Sequence, residues 1–259
     1  MKFRPCIDIH NGKVKQIVGG SLQDAGDFAT DNFVSEKDGA YYGALYKNVG
    51  LTGGHIIILN PKTSPHYEED VRQACLALKA SAGTLQIGGG ITDENAAFFL
   101  ELGASHVIVT SFVFKDGQIH FDNLKKIHAV TGKEKLVLDL SCRKKDGDYY
   151  IVTDRWQKFT NVKLNHALLD ELSQYCDEFL IHAVDVEGKS SGIEEELAAM
   201  LGAWKGIPIT YAGGVSSYDD LEKLKLLGKN RIDVTIGSAL DLFGGLLEFK
   251  QVIAYCKEE

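Results

Sequence analysis

The sequence predicts an α/β protein: a single-domain (β/α)8 barrel of the TIM type, built from two related (βα)4 halves. Short, continuously apolar runs alternate with longer amphipathic segments along the whole chain, eight such runs can be counted, and three motifs recur at a nearly constant offset. Barrels of this kind reach about 250 residues as one unit, and the chain has 259. With 4 prolines and no Pro- or Ser-rich stretch, it offers no linker at which to divide. A doubly wound open sheet is the competing architecture.

The first run, residues 5–9, is short and apolar, as a strand buried on both faces of a parallel sheet should be. It is followed by His10-Asn11-Gly12-Lys13, a tight turn into a small hairpin returning over 14–18. A dinucleotide-binding start would need G-x-G-x-x-G there instead. Further strands are expected at 55–59, 85–87, 106–110, 136–140, 179–184, 207–211 and 232–236. Between them, 68–80 carries Val71, Cys75, Leu76 and Leu78 on one helical side, and 93–102 follows Thr92 as an N-cap and stops at Gly103. A hairpin is expected over 146–152, and further helices over 164–176, 193–204 and 218–227, the last ending at Gly228. Gly244-Gly245 precedes a final helix over 246–257.

The repeat divides this pattern in two. Cys6-Ile7-Asp8-Ile9 resembles Val137-Leu138-Asp139-Leu140, at an offset of 131 residues between the aspartates. Gly88-Gly89-Gly90-Ile91-Thr92 resembles Ala212-Gly213-Gly214-Val215-Ser216 at 124, and Val109-Thr110-Ser111 resembles Ile236-Gly237-Ser238 at 127. The halves fall at about 1–130 and 131–259, each with an aspartate on its first strand and glycine turns after its third and fourth.

Gly-Gly turns at strand ends, each leading into a helix, suit phosphate, because glycine admits an oxyanion close to the backbone and helix starts offer unpaired N–H groups. One site would combine Gly89 and Gly90 with Thr110 and Ser111. The other would combine Gly213 and Gly214 with Gly237 and Ser238, and the short 238–243 segment reads as an extra phosphate-binding helix. A single such turn is more often structural; two, symmetrically placed, point to a bisphosphate.

Asp8 and Asp139 each sit in an apolar strand near its C-terminal end, where barrel sites are built. A carboxylate there is costly unless paired or used. Either could be a hydrogen-bonded core residue; together they suggest acid–base work, one taking a proton while the other, with a raised pKa, gives one. His55 either reaches a ligand or caps its strand from outside. Trp156, after the hairpin, either stacks on a heterocycle or packs on the rim. Asp185 and Gly188 either position a substrate or serve a turn. His182 reads as a core or rim histidine, and the 143–146 stretch as a solvated loop.

The formal charge of −8 speaks against nucleic acid or an anionic membrane as partner, since both want a basic field. It leaves room for a small anion held by backbone N–H groups. The five cysteines are scattered without metal-ligand spacing, which predicts reduced thiols in the cytoplasm. No signal peptide or membrane span is expected, and a monomer is the default.

Pro5 through Gln16, Gly88-Gly89-Gly90, the run from Asp139 to Lys144, the run from His182 to Gly188, and Tyr211-Ala212-Gly213-Gly214 together resemble the ProFAR isomerases, in their eukaryotic-type form, of the HisA/HisF family of histidine-biosynthesis barrels. The resemblance covers essentially the whole chain. It implies an Amadori rearrangement of a substrate with two phosphoribosyl groups and no metal or organic cofactor. It further implies Asp8 as the base that takes the C2′ proton, and Asp139 as the acid that protonates the ribose ring oxygen. Two positions depart from bacterial relatives: Thr92 stands where they carry arginine, and the second strand lacks their acidic residue. The sister cyclase that makes imidazole glycerol phosphate also uses an aspartate on strands one and five. A non-catalytic phosphosugar-binding barrel is the third reading.

Overall fold

The computed structural model describes residues 1–18, 21–22, 28–154 and 156–257. Eight parallel strands form its centre: β1 Cys6–His10, β2 Gly54–Ile58, β3 Leu85–Gly88, β4 Val107–Val109, β5 Leu136–Asp139, β6 Glu178–His182, β7 Ile209–Ala212 and β8 Ile232–Thr235. Each pairs with the next in chain order. Phe3 bridges Val234 in parallel, with Arg4 N–H donating to Val234 O at 2.8 Å and Val234 N–H to Lys2 O at 2.9 Å. The sheet therefore closes on itself, and the (β/α)8 barrel replaces the open-sheet alternative.

Among the described residues, one α-helix follows each strand: α1 Gly39–Asn48, α2 Tyr67–Ser81, α3 Ala96–Glu101, α4 Phe121–Thr131, α5 His166–Leu172, α6 Glu195–Ala203, α7 Tyr218–Leu227 and α8 Phe249–Lys257. Sequence reasoning missed α1 and α4. The glycines of α1 disguise it, yet they permit close packing: a Cβ at Gly39 would lie 2.3 Å from Gln73 O, and one at Gly43 2.4 Å from Ala77 O, both on α2. In α4 the buried stripe is thin, only Leu124, Ile127 and Thr131.

Thr92 does not cap α3. That helix starts at Ala96, and Thr92 N–H instead donates to the Asn95 side chain at 2.8 Å. The hairpin return strand is Lys13–Ile17, extended by a further strand, Asp31–Val34. After β5 the predicted hairpin is a three-stranded sheet, Cys142–Lys145, Asp148–Thr153 and Lys158–Lys163. Asp146 and Gly147 turn between the first two at φ 53° and 85°, the left-handed conformations that a two-residue hairpin turn requires.

Side chains alternate across each strand, so every second residue enters the barrel. The lowest layer is polar: Glu178 accepts from Gln86 at 2.9 Å and from Thr210 at 2.5 Å. Above it Ile108, Val137, Leu180 and Ala212 form an apolar plug with Ile57 packed against it. Two residues further along their strands come Asp139 and His182. The same alternation that fills the barrel thus delivers polar side chains to its C-terminal mouth.

Candidate active site

A cavity of about 370 Å³ opens at that mouth, a volume suited to a small organic ligand. Asp8 and Asp139 both line it, as do His55 and Trp156. Gly89, Gly90, Thr110 and Ser111 line one part of the wall; Gly213, Gly214, Gly237, Ser238 and Gly188 line another. Asp185 lies outside the cavity wall, and its carboxylate accepts from Arg143 Nε at 2.8 Å and Lys144 N–H at 3.0 Å. It pins the inserted sheet to the loop after β6.

Each glycine turn has a steric reason. Gly89 has φ 98°, and a Cβ there would meet Ile58 O at 2.1 Å; Gly214 has φ 79° and would meet Gly192 O at 2.0 Å. The expected helix contributions differ. Helix α3 begins six residues beyond Gly90. At α7, Asp220 accepts from the N–H groups of Ser216 and Ser217 and so occupies donors expected to face an anion. The 238–243 segment holds one 3₁₀ turn, Asp241–Phe243. Anion donors must then come from the turns themselves, where Gly90, Gly214, Gly237 and Ser238 donate no backbone hydrogen bond among the described residues.

The carboxylates have opposite environments. Burial, reinforced by the nearby Glu187 charge, pushes Asp8 up to about 7. Gln16, on the hairpin return strand, donates to Asp8 Oδ2 at 3.4 Å. Asp139 is buried too, which by itself would raise it, but the His182 charge and hydrogen bonds from His182 and Ser141 prevail and hold it below the usual carboxylate range. Its partner His182 lies 3.3 Å away. Burial opposes the imidazolium, yet Asp139 outweighs it and raises His182 to about 9. His55, buried and 6.0 Å from the His182 ring centre, is pushed down to about 3 by burial and that neighbour, so it is neutral.

Sequence reasoning missed three residues of this cavity. Glu187, in a run that reads as a turn, has its Oε2 buried without a hydrogen-bond partner among the described residues, and burial raises its carboxyl. Gln16 carries no local signal of a role, yet its amide touches Asp8, and a Cβ on Gly237 would strike its Oε1 at 2.0 Å. Lys62, after β2, is the one lysine or arginine among the described lining residues. No group of three or more His, Cys, Asp or Glu among the described residues could hold a metal ion.

A closed barrel whose C-terminal mouth joins two glycine-turn walls to carboxylates of opposed acidity defines the class: a barrel enzyme equipped for acid–base chemistry on an anionic small molecule. The chain belongs to the histidine biosynthesis protein family, whose model matches residues 2–246. It is 52% identical over 264 residues to a 1-(5-phosphoribosyl)-5-((5-phosphoribosylamino)methylideneamino) imidazole-4-carboxamide isomerase of Medicago truncatula, named as chloroplastic, covering 100% of this chain and 83% of the relative. The isomerase of that name from Yarrowia lipolytica is 46% identical, with 94% and 93% covered. The one from Saccharomyces cerevisiae is 44% identical, with 95% and 94% covered. No helix among the described residues is long and apolar enough to cross a membrane.

Proposed function

We propose that this chain catalyses the Amadori rearrangement for which its relatives are named, turning the aminoaldose ProFAR into its aminoketose, PRFAR. The carrying observation is the pair of aspartates tuned in opposite directions within one cavity. A base works best with a pKa near the operating pH, and Asp8 at about 7 meets that condition. Asp8 takes the C2′ proton. Asp139 and His182 hold one proton between them to about pH 9, and this pair supplies the proton for the ring oxygen. Gly89, Gly90, Thr110 and Ser111 receive one phosphate; Gly213, Gly214, Gly237 and Ser238 receive the other. Trp156, His55 and Gly188 flank the substrate between them.

Incubating the purified protein with ProFAR tests the reading. Formation of the ketose without ammonia supports it; turnover only of the ketose, with ammonia, would instead mark the cyclase. All the relatives described above are named isomerases, which favours the first outcome. A non-catalytic barrel would bind ProFAR without turnover.

The acidities fix the pH dependence. As pH rises through about 7, Asp8 loses its proton and kcat/KM climbs; near 9 the Asp139–His182 pair loses its proton and kcat/KM falls. Glu187→Gln removes a like charge from beside Asp8, so the acidic limb should move to lower pH. A limb that stays in place, measured over pH 5 to 8 by initial rates, speaks against the Glu187 contribution.

Lys62 gives the second expectation. Two phosphates bring a large negative charge into a wall that also carries Asp8, Asp139, Asp154 and Glu187. Lys62→Met should raise KM about 10-fold while leaving kcat within about 2-fold, the signature of binding lost equally from ground and transition states. An unchanged KM would remove Lys62 from the anion site.

We further propose one catalytic domain over residues 1–259, with related halves of four strands each, working as a monomer. The five free thiols support a reducing compartment, here taken as the cytoplasm.

A further inference from the structure

Among the described residues, Asp139 is held through one oxygen. Ser141 N–H donates to Asp139 Oδ1 at 2.9 Å, the Ser141 hydroxyl at 2.7 Å, and His182 Nδ1 lies 3.3 Å from the same oxygen. Ser141 is fully buried. The Trp156 indole N–H reaches its oxygen at 2.9 Å, from the loop joining the second and third strands of the inserted sheet. An indole N–H can only donate, and a hydroxyl has one proton. The Ser141 oxygen also lies 3.3 Å from His182 Nδ1, but that nitrogen, protonated in the charged ring, can only donate, so Trp156 and His182 together leave the hydroxyl proton to Oδ1. Among the described residues, no donor reaches Oδ2. Trp156 itself stands at φ 66°, a left-handed backbone unfavourable for a non-glycine residue, so the contact is made against local strain.

We propose that Ser141 is a positioning residue through which Trp156 acts on Asp139, locking the carboxylate by Oδ1 and so fixing how it and His182 face the substrate. This assigns the indole a task other than stacking on the substrate, and it rests on the isomerase reading for its kinetic consequences. The groups facing Asp139 are His182 on β6, His55 on β2 and the Cys142 thiol beside Ser141. None of these can replace the Ser141 hydroxyl at 2.7 Å.

The test is a cycle of Ser141→Ala, Trp156→Phe and the double variant, assayed on ProFAR across pH. Ser141→Ala should lower kcat about 10- to 100-fold, the scale of one hydrogen bond to a charged group, with KM within about 3-fold. The carboxylate, less stabilised, holds the shared proton longer, so the basic limb moves to higher pH. Ser141→Thr keeps the hydroxyl and should restore most of the rate. Trp156→Phe keeps the ring and loses the donor; its smaller loss in kcat should vanish in the Ser141→Ala background, because the route no longer exists. Losses that multiply would overturn the proposal, as would a Ser141→Ala profile with unmoved limbs. A readout independent of turnover separates this from failure of the isomerase reading. The His182 ring resonances, followed by NMR in the free protein, should titrate at higher pH in Ser141→Ala than in the unaltered chain. Coincident titrations refute the coupling whatever the reaction is.

Discussion

Asp8→Asn should lower turnover of ProFAR by about three orders of magnitude or more while leaving affinity for the ketose product within a few-fold. The amide keeps the shape of the side chain and its neighbour Gln16 but cannot accept the C2′ proton. The same substitution should stabilise the fold at neutral pH and above. Asp8 is raised from its ordinary value to about 7, so the folded state binds more protons than the unfolded chain between those values, and stability falls as pH rises through that window. Asparagine removes the loss. A variant that is inactive and melts higher than the parent at pH 8 fits both parts; near-normal turnover would dismiss Asp8 as the base.

Asp139→Asn should be nearly as severe in rate but opposite in its side effects. Asp139 is the partner that keeps His182 charged in a buried place. Without it, His182 loses the two strongest influences that raise it while burial still opposes its charge, so its proton is released at lower pH. The expected result is a loss of about 100- to 10,000-fold in kcat, with the basic limb of the pH profile erased. The melting temperature should not rise at pH 8, which separates this variant from Asp8→Asn. Retained activity with an intact basic limb would show that the acid lies elsewhere.

Much of the fold was legible because parallel strands buried on both faces announce themselves as short apolar runs. All eight barrel strands lie within two residues of expectation at either end. Helix α1 was hidden because its glycines serve close packing on α2 (a tertiary fact), and its sequence lacks a clean amphipathic stripe. The aspartate pair was legible through the repeat, which relates positions that no local pattern connects. Glu187 and Gln16 were not, since a carboxylate beside glycine reads as a turn and an amide on a hairpin reads as surface. Their roles arise only when β6, β8 and the hairpin converge. Asp185 shows the reverse: it sits in the expected loop, and only the fold reveals that Arg143 and Lys144 engage it.

The plug above the Gln86–Glu178–Thr210 layer has a consequence for traffic. Among the described residues it closes the floor of the reaction chamber, so arrival and departure share the C-terminal mouth. An isomerase neither adds nor removes atoms, so under the proposed reaction what leaves is as bulky and as anionic as what came in. The two compounds must queue at one entrance and compete for the same anchors. Accumulating ketose should therefore slow the enzyme at concentrations close to the KM for the aldose, tying its pace to how quickly the next consumer clears the product.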